Sequence, residues 1–251
     1  MSTAGAELAG PDGGPAIVFV HGTRLTGASW RAVTSRLSDR YRCVSVDLPG
    51  HGALADRPFT LDAAADVVEA AIRTFGGGRA VVVGLSLGGY VAMAAAARSP
   101  DLVRGLVLAG SSAEPSGPAA AAFRLFAWAL GAAPKRPFDA LNTWFFRLRY
   151  PPEIADPIIA GGFWSRGGAD ALRAIAGERF GPRLAAYPGR TLILNGEYDL
   201  PFRLFAGSFA RAAQQPARVR LAGATHLANL DRPEAFAVAV CRFMHALDGR
   251  R

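Results

Sequence analysis

The sequence predicts an α/β fold: a doubly wound, mostly parallel sheet covered by helices on both faces. Six short apolar runs are continuously hydrophobic and not alternating, which is typical of strands buried on both sides. Stretches with helical spacing separate most of these runs, as the crossovers between parallel strands require. The 251 residues, of which 51% are hydrophobic and 19% are charged, suffice for one core of this kind.

The predicted strands are rich in Val, Ile and Leu. In chain order they are Ala16–Val20, Cys43–Leu48, Ala80–Val83, Gly105–Ala109, Thr191–Leu194 and Arg218–Ala222. Thr60 is a candidate N-cap, and proline opens two of the predicted helices. The predicted helices are Ser29–Leu37, Leu61–Phe75, Leu87–Ala97, Pro201–Ala213 and Pro233–Leu247.

One long segment breaks the alternation of strands and helices. Residues 113–187 contain no convincing strand, several prolines and many aromatic residues, between pieces compatible with helices. We interpret this segment as a helical cap, or lid, inserted into a core formed by residues 1–112 and 188–251. Its aromatic composition favours several rings facing an apolar pocket, and Trp128, Trp144 and Trp164 are the candidate substrate-binding residues.

Composition argues against several kinds of partner. The net charge is +8, but all basic residues except Lys135 are arginines spread along the chain, so we expect no nucleic-acid partner. Apolar stretches are too short to span a bilayer, and residues 1–15 carry no secretory pattern. Cys43 and Cys241 lack metal-ligand spacing. We therefore expect a cytoplasmic protein with a small-molecule substrate, no metal and no membrane partner; the oligomeric state is left open.

The strongest chemical motif is Gly84-Leu85-Ser86-Leu87-Gly88. It lies between a predicted strand and a predicted helix, the context in which G-x-S-x-G forms a sharp turn that exposes its serine. The glycines leave room for the strand and helix to approach closely, and the helix N-terminus favours developing negative charge. Ser86 is therefore the candidate nucleophile.

A serine hydroxyl needs a base, and the base needs an acid to orient it. His226 follows the last predicted strand, at the edge where ligands gather in open α/β sheets. Asp199 follows the strand before it, so the order Ser86, Asp199, His226 fits this architecture. Glu197 is the rival acid.

These pieces resemble the α/β-hydrolase superfamily. The matching motifs are His21-Gly22-Thr23, the sequence from Asp47 to Gly52, the serine turn, Gly196 with Asp199, and His226 with the trailing residues 231–234. The resemblance implies a cofactor-independent serine hydrolase whose oxyanion hole is formed by the backbone N–H groups of Thr23 and Leu87. Members usually carry an N-terminal hairpin; few residues precede Ala16, so we expect this hairpin to be truncated or lost.

Three functions stay open at this point. The leading one is hydrolysis of a carboxylic ester, thioester or lactone of an apolar small molecule through an acyl-serine. The alternatives are C–C bond hydrolysis or lysis by the same triad, and a catalytically silent ligand-binding relative. His21 and His51 suit loop bracing, and Asp231 suits an N-cap for the helix that begins at Pro233.

Overall fold

The structure is a computed structural model, and it describes residues 5–249. Seven strands form one sheet in the order β1-β3-β2-β4-β5-β6-β7, in which β1 pairs antiparallel with β3 and every other neighbouring pair is parallel. The strands are β1 (Ala6–Ala9), β2 (Ala16–Val20), β3 (Arg42–Val46), β4 (Ala80–Leu85), β5 (Val103–Ala109), β6 (Arg190–Gly196) and β7 (Gln215–Leu221). The predicted doubly wound sheet is confirmed. Within the described residues, the N-terminal hairpin is reduced to the single strand β1.

Helices connect the parallel strands and fill the long segment between β5 and β6. The side chain of Thr60 accepts a hydrogen bond from the backbone N–H of Ala63 at 3.0 Å, so Thr60 is the N-cap predicted for the second helix. The α-helices are α1 (Arg31–Thr34), α2 (Leu61–Phe75), α3 (Leu87–Arg98), α4 (Pro118–Ala132), α5 (Lys135–Arg149), α6 (Pro152–Gly161), α7 (Ser165–Ile175), α8 (Phe180–Ala186), α9 (Leu200–Ala212), α10 (Ala228–Asp231) and α11 (Pro233–Asp248).

The continuous apolarity of the central strands reflects two cores, one on each face of the sheet. Val18 and Val82 point into a cluster with α2, α3 and α8, whereas Ile17 and Val81 point into a cluster with α11. Alternate residues of one strand therefore serve opposite cores. A third, smaller cluster, which includes Phe146 and Phe163, lies beneath α5 and α6.

Helices α4–α8 occupy the segment predicted as the cap. Helix α4 packs mainly against α7, and α5 packs against α6. Glu114 ties the start of this segment to its end, since its carboxylate accepts backbone hydrogen bonds from Phe180 and Gly181. The division into a core and a cap domain stays a prediction. No helix in residues 5–249 is long and apolar enough to cross a bilayer.

Candidate active site

The sharp turn after β4 presents Ser86 in an unusual backbone conformation. Its φ of 52° and ψ of −115° place a non-glycine residue in a region that L-amino acids rarely adopt. The backbone N–H of Ser86 donates to the Ala109 carbonyl at 2.7 Å, and the Ser111 hydroxyl donates to the Ser86 carbonyl at 3.0 Å. The surrounding backbone thus holds the strained residue at the N-terminus of α3.

The glycines of the turn are explained by backbone packing. A Cβ at Gly84 would collide with the backbone of Gly88, and a Cβ at Gly88 would collide with the carbonyl of Val20 at the end of β2. A Cβ on Gly22 would lie 3.6 Å from the Cβ of Ser86. The start of α3 is therefore pressed against the loop that follows β2, which fixes Ser86 beside that loop.

His226 and Asp199 meet at the same edge of the sheet. Nδ1 of His226 lies 3.0 Å from Oδ2 of Asp199. The Asp199 side chain is 4% exposed and that of His226 is 35% exposed, so the acid is buried and the imidazole reaches solvent. The rival carboxylate, Glu197, is used elsewhere, because its Oε2 accepts the backbone N–H of Gly223 at 2.9 Å. The geometry therefore pairs Asp199, and not Glu197, with His226.

Two residues that the sequence reasoning missed contact this pair. Gly110 has a φ of 56°, and a Cβ there would lie 2.9 Å from the His226 ring and 3.1 Å from Oδ2 of Asp199. Phe202 stacks on the His226 ring, with centroids 4.7 Å apart and an interplanar angle of 26°. A single glycine at a strand end carries no chemical signal, so only the fold reveals that this position must lack a side chain.

The loop after β2 carries Thr23, next to two buried histidines. Nε2 of His21 accepts the backbone N–H of Leu48 at 2.9 Å, and Nε2 of His51 accepts that of Arg24 at 3.3 Å. Burial lowers the pKa of His21 to about 4, and burial together with the nearby His21 lowers the pKa of His51 to about 3. Both rings are neutral at pH 7 and brace the loop.

Asp231 corrects the sequence interpretation. The N-cap position of α11 is Arg232, and its side chain makes no capping bond. Oδ2 of Asp231 instead accepts the backbone N–H and the hydroxyl of Thr225, at 2.6 and 2.5 Å. Oδ1 accepts Arg149 at 2.7 Å and Tyr150 at 2.8 Å. Asp231 therefore joins the loop of His226 to the end of α5.

Four hydrogen bonds hold this carboxylate in its charged form. Burial alone would raise the pKa of Asp231, but the bonds from Thr225, Arg149 and Tyr150 bring it below its ordinary value. Asp231 therefore stays ionised as an anchor for the loop.

The three candidate tryptophans occupy different surroundings. Trp128 on α4 and Trp144 on α5 are largely exposed, whereas Trp164 is half-buried and donates its indole N–H to the Gly161 carbonyl at 2.9 Å. Trp164 also lines a cavity of about 750 Å³ next to Leu130 and Phe163. Substrate binding by these three residues stays a prediction.

Comparison with known proteins establishes the family. Residues 17–240 match the sequence model described as the alpha/beta hydrolase family. The chain belongs to this family. The fold and family predicted from the sequence are thereby confirmed. Across residues 5–249, no group of three or more His, Cys, Asp or Glu side chains is arranged to hold a metal ion.

Two curated relatives have names that describe hydrolases. Over 97 residues the chain is 43% identical to 2-(acetamidomethylene)succinate hydrolase of Mesorhizobium japonicum, covering 38% of this chain and 34% of the relative. Over 100 residues it is 43% identical to pimeloyl-[acyl-carrier protein] methyl ester esterase of Chromobacterium violaceum, covering 39% of this chain and 38% of the relative. The matched stretch thus spans little more than a third of either relative.

A solved structure extends the similarity to nearly the whole chain. A thermophilic esterase from Thermogutta terrifontis superposes with a TM-score of 0.80 at 27% sequence identity, covering 96% of this chain and 93% of the other. The structural similarity therefore includes most of the helical segment between β5 and β6.

Proposed function

We propose that the protein is a serine hydrolase that cleaves a carboxylic ester, thioester or lactone through an acyl-Ser86 intermediate. One observation carries the proposal: Ser86, held at φ 52° at the start of α3, shares the carboxyl edge of the sheet with the 3.0 Å His226–Asp199 pair. The esterase names of the Chromobacterium and Thermogutta proteins support the ester class.

In the proposed reaction, Nε2 of His226 removes the proton from Ser86 as the serine oxygen attacks the substrate carbonyl. Asp199 accepts a hydrogen bond from Nδ1, which fixes the tautomer with a free Nε2 and stabilises the imidazolium. His226 then gives its proton to the leaving group. A water molecule, activated by the same imidazole, attacks the acyl-enzyme and releases the acid.

The negative charge that develops on the carbonyl oxygen needs donors fixed in advance. We assign this role to the backbone N–H groups of Leu87 and Thr23. Leu87 is the first residue of α3, where the N–H groups of a helix lack intrahelical acceptors. Thr23 follows Gly22, whose packing beside Ser86 brings its loop to the nucleophile.

The test is hydrolysis of aryl esters by Ser86→Ala. We expect kcat/KM to fall by about a thousandfold or more, because the acyl-enzyme cannot form. Thermal unfolding should change little, since the variant removes one oxygen. Unchanged turnover in a folded variant would contradict the mechanism. Turnover of a C–C substrate, without an acyl-enzyme burst on esters, would favour the alternative chemistry.

Substrate choice is assigned to the helical segment between β5 and β6. Alanine substitution of Trp128, Trp144 or Trp164 should alter the preference for acyl length, while a short activated ester is turned over nearly as before. The measurement is kcat/KM for aryl esters of increasing acyl length. Profiles that all keep the wild-type shape would assign these rings to another role.

A further inference from the structure

We propose that the outer face of α5 binds an anionic lipid surface. Leu141, Trp144, Phe145 and Leu148 recur on α5 with the spacing of one helix face, and all four are exposed. Trp144 is 61% exposed and Leu148 is 71% exposed. A row of large apolar side chains with this much exposure marks a contact site.

The opposite face of α5 is fixed on the core. The row of four exposed apolar side chains, called the apolar stripe below, must therefore point outward. Arg24 donates to Oδ1 of Asn142 at 2.8 Å, and its guanidinium lies 4.9 Å from the centroid of the Phe138 ring. Phe146 packs with Phe163 in the third cluster. These inward positions are spaced by four residues, and Trp144 and Leu148 fall on the other side of the helix.

Helix α4, which precedes α5 in the chain, also has exposed apolar side chains. It packs inward through Ala127 and Leu130, while Leu125, Phe126 and Trp128 are exposed. Trp128 is 66% exposed. Side chains with most of their surface in water protrude from the protein, so they are placed to insert into a lipid surface.

The charged side chains of α4 and α5 indicate the kind of partner that the apolar stripe binds. The exposed ionisable side chains of α4 and α5 are all cationic: Arg124, Lys135, Arg136, Arg147 and Arg149. The one carboxylate within these two helices, Asp139, is half-buried and paired with Lys135 at 2.6 Å. At 100° per residue, Arg136 and Arg147 border the apolar stripe.

Trp, Phe and Leu flanked by arginines are the composition of helices that lie in a bilayer interface. A second copy of this chain would bring the same positive charges together. An anionic lipid surface attracts them, by about fivefold in binding for each basic residue near the surface. This inference departs from the sequence-based expectation of no membrane partner, because the sequence alone did not show which face of α5 the core covers.

The docking helix is also linked to the candidate site. Helix α5 ends at Arg149, which bonds Asp231, and Asp231 bonds the Thr225 that precedes His226. The docking helix is therefore connected to the loop of His226 by two side chains. The inference concerns binding alone and does not depend on the proposed hydrolysis.

The experiment is flotation of the Ser86→Ala variant with vesicles of phosphatidylcholine, with and without an equal amount of phosphatidylglycerol. We expect binding to the anionic vesicles, a blue shift of tryptophan fluorescence, and weakening as the salt concentration rises. Absence of binding at low salt overturns the proposal. Equal binding to both vesicle types overturns the role of charge.

Double substitutions on α5 test which side chains bind the vesicles. Trp144→Ser with Leu148→Ser should weaken partition about tenfold or more, and Arg136→Gln with Arg147→Gln about tenfold or more. The matched control is Val238→Ser. Val238 is a half-exposed apolar residue of α11, a helix that packs on the core at one face of the sheet and not in the segment of α4 and α5, so this variant should leave binding unchanged. Equal binding by all variants contradicts the assignment.

Sedimentation of the protein without lipid tests whether the apolar stripe binds a second copy of the chain. The proposal predicts the same oligomeric state for wild type and for the Trp144→Ser, Leu148→Ser variant. A dimer that this variant dissociates would show that the stripe joins two copies, and would overturn lipid docking.

Discussion

The loops that carry Ser86 and His226 share close backbone packing but differ in the side-chain link that only the loop of His226 has to α5. Ser86 is positioned by backbone contacts: the glycines around it pack against neighbouring strand ends, and its N–H bonds the Ala109 carbonyl. The loop of His226 is also packed closely by backbone, because a Cβ on Gly196 would collide with the Thr225 carbonyl. In addition, side chains tie this loop through Asp231 to a partner at the end of α5. Both loops thus depend on residues distant in sequence, but among these contacts only those of the proposed base reach the helical segment between β5 and β6.

This difference has a functional consequence. Close backbone packing has little freedom to shift, so the turn at Ser86 is expected to behave as a rigid element. A loop anchored through the end of α5 can respond to the position of that helix. The helical segment between β5 and β6 is thereby placed to influence the proposed base.

The largest effect concerns the acid. Asp199→Asn should lower kcat/KM by about a thousandfold, because an amide cannot stabilise the imidazolium and can favour the wrong tautomer. Glu197→Gln should cost far less, since that carboxylate bonds the Gly223 N–H. Measuring both variants on one ester decides the assignment, and a reversed order would transfer the role to Glu197.

Gly110→Ala tests the packing beneath the base. The added methyl group would lie 2.9 Å from the His226 ring, at a φ of 56° that alanine disfavours. We expect about a hundredfold loss of kcat, as displacement of a reacting group by about an ångström produces. Gly117→Ala is the control, because it also has a positive φ but open space around it. Similar losses in both variants would indicate backbone strain alone.

Asp231→Asn tests the side-chain anchor. Both carboxylate oxygens accept bonds from donors, so either orientation of the amide sets its NH₂ group against a donor. We expect about a tenfold fall in kcat/KM and a shifted pH profile for the base. Tyr150→Phe, which removes one of the four donors, should have a smaller effect. An unchanged pH profile with reduced stability would make Asp231 purely structural.

The last effect is on stability against pH and not on activity. The pKa of His51 is lowered to about 3 in the folded protein, whereas an unfolded histidine titrates near 6.5. As the pH falls below about 6.5, the unfolded chain gains a proton that the folded protein does not, so stability is lost at about 1.4 kcal/mol per pH unit. His51→Asn should flatten the urea-derived stability curve between pH 6 and 4. Parallel curves for variant and wild type would contradict a neutral, buried His51.

Sequence patterns predicted the parts of the fold that depend on local composition. Helix α2 begins and ends at the predicted residues, and the central strands differ only by a few residues at their ends. Strand β1 was missed because its four residues, AELA, carry no strong β pattern and pair with β3 far along the chain. Pairing with a strand distant in sequence produces no recognisable pattern in a stretch of four residues.

The residues of the candidate site also divide into those that a local pattern identifies and those that depend on contacts distant in sequence. Ser86 could be identified because its motif, strand and helix are contiguous. Asp199 was predicted as the partner of His226 with Glu197 as its rival, since both follow β6 and only the turn geometry separates them. Asp231 and Gly110 act through contacts with residues distant in sequence, so no local pattern distinguishes them.

Covalent labelling tests the proposed function most directly. The wild-type protein is treated with a fluorophosphonate, and intact mass and peptide mapping locate the adduct. The account predicts one adduct on Ser86, none in Ser86→Ala, and much slower labelling in Asp199→Asn, because an activated serine needs its oriented base. Failure of the folded wild-type protein to label, or labelling that persists in Ser86→Ala, would contradict the assignment of Ser86 as the nucleophile.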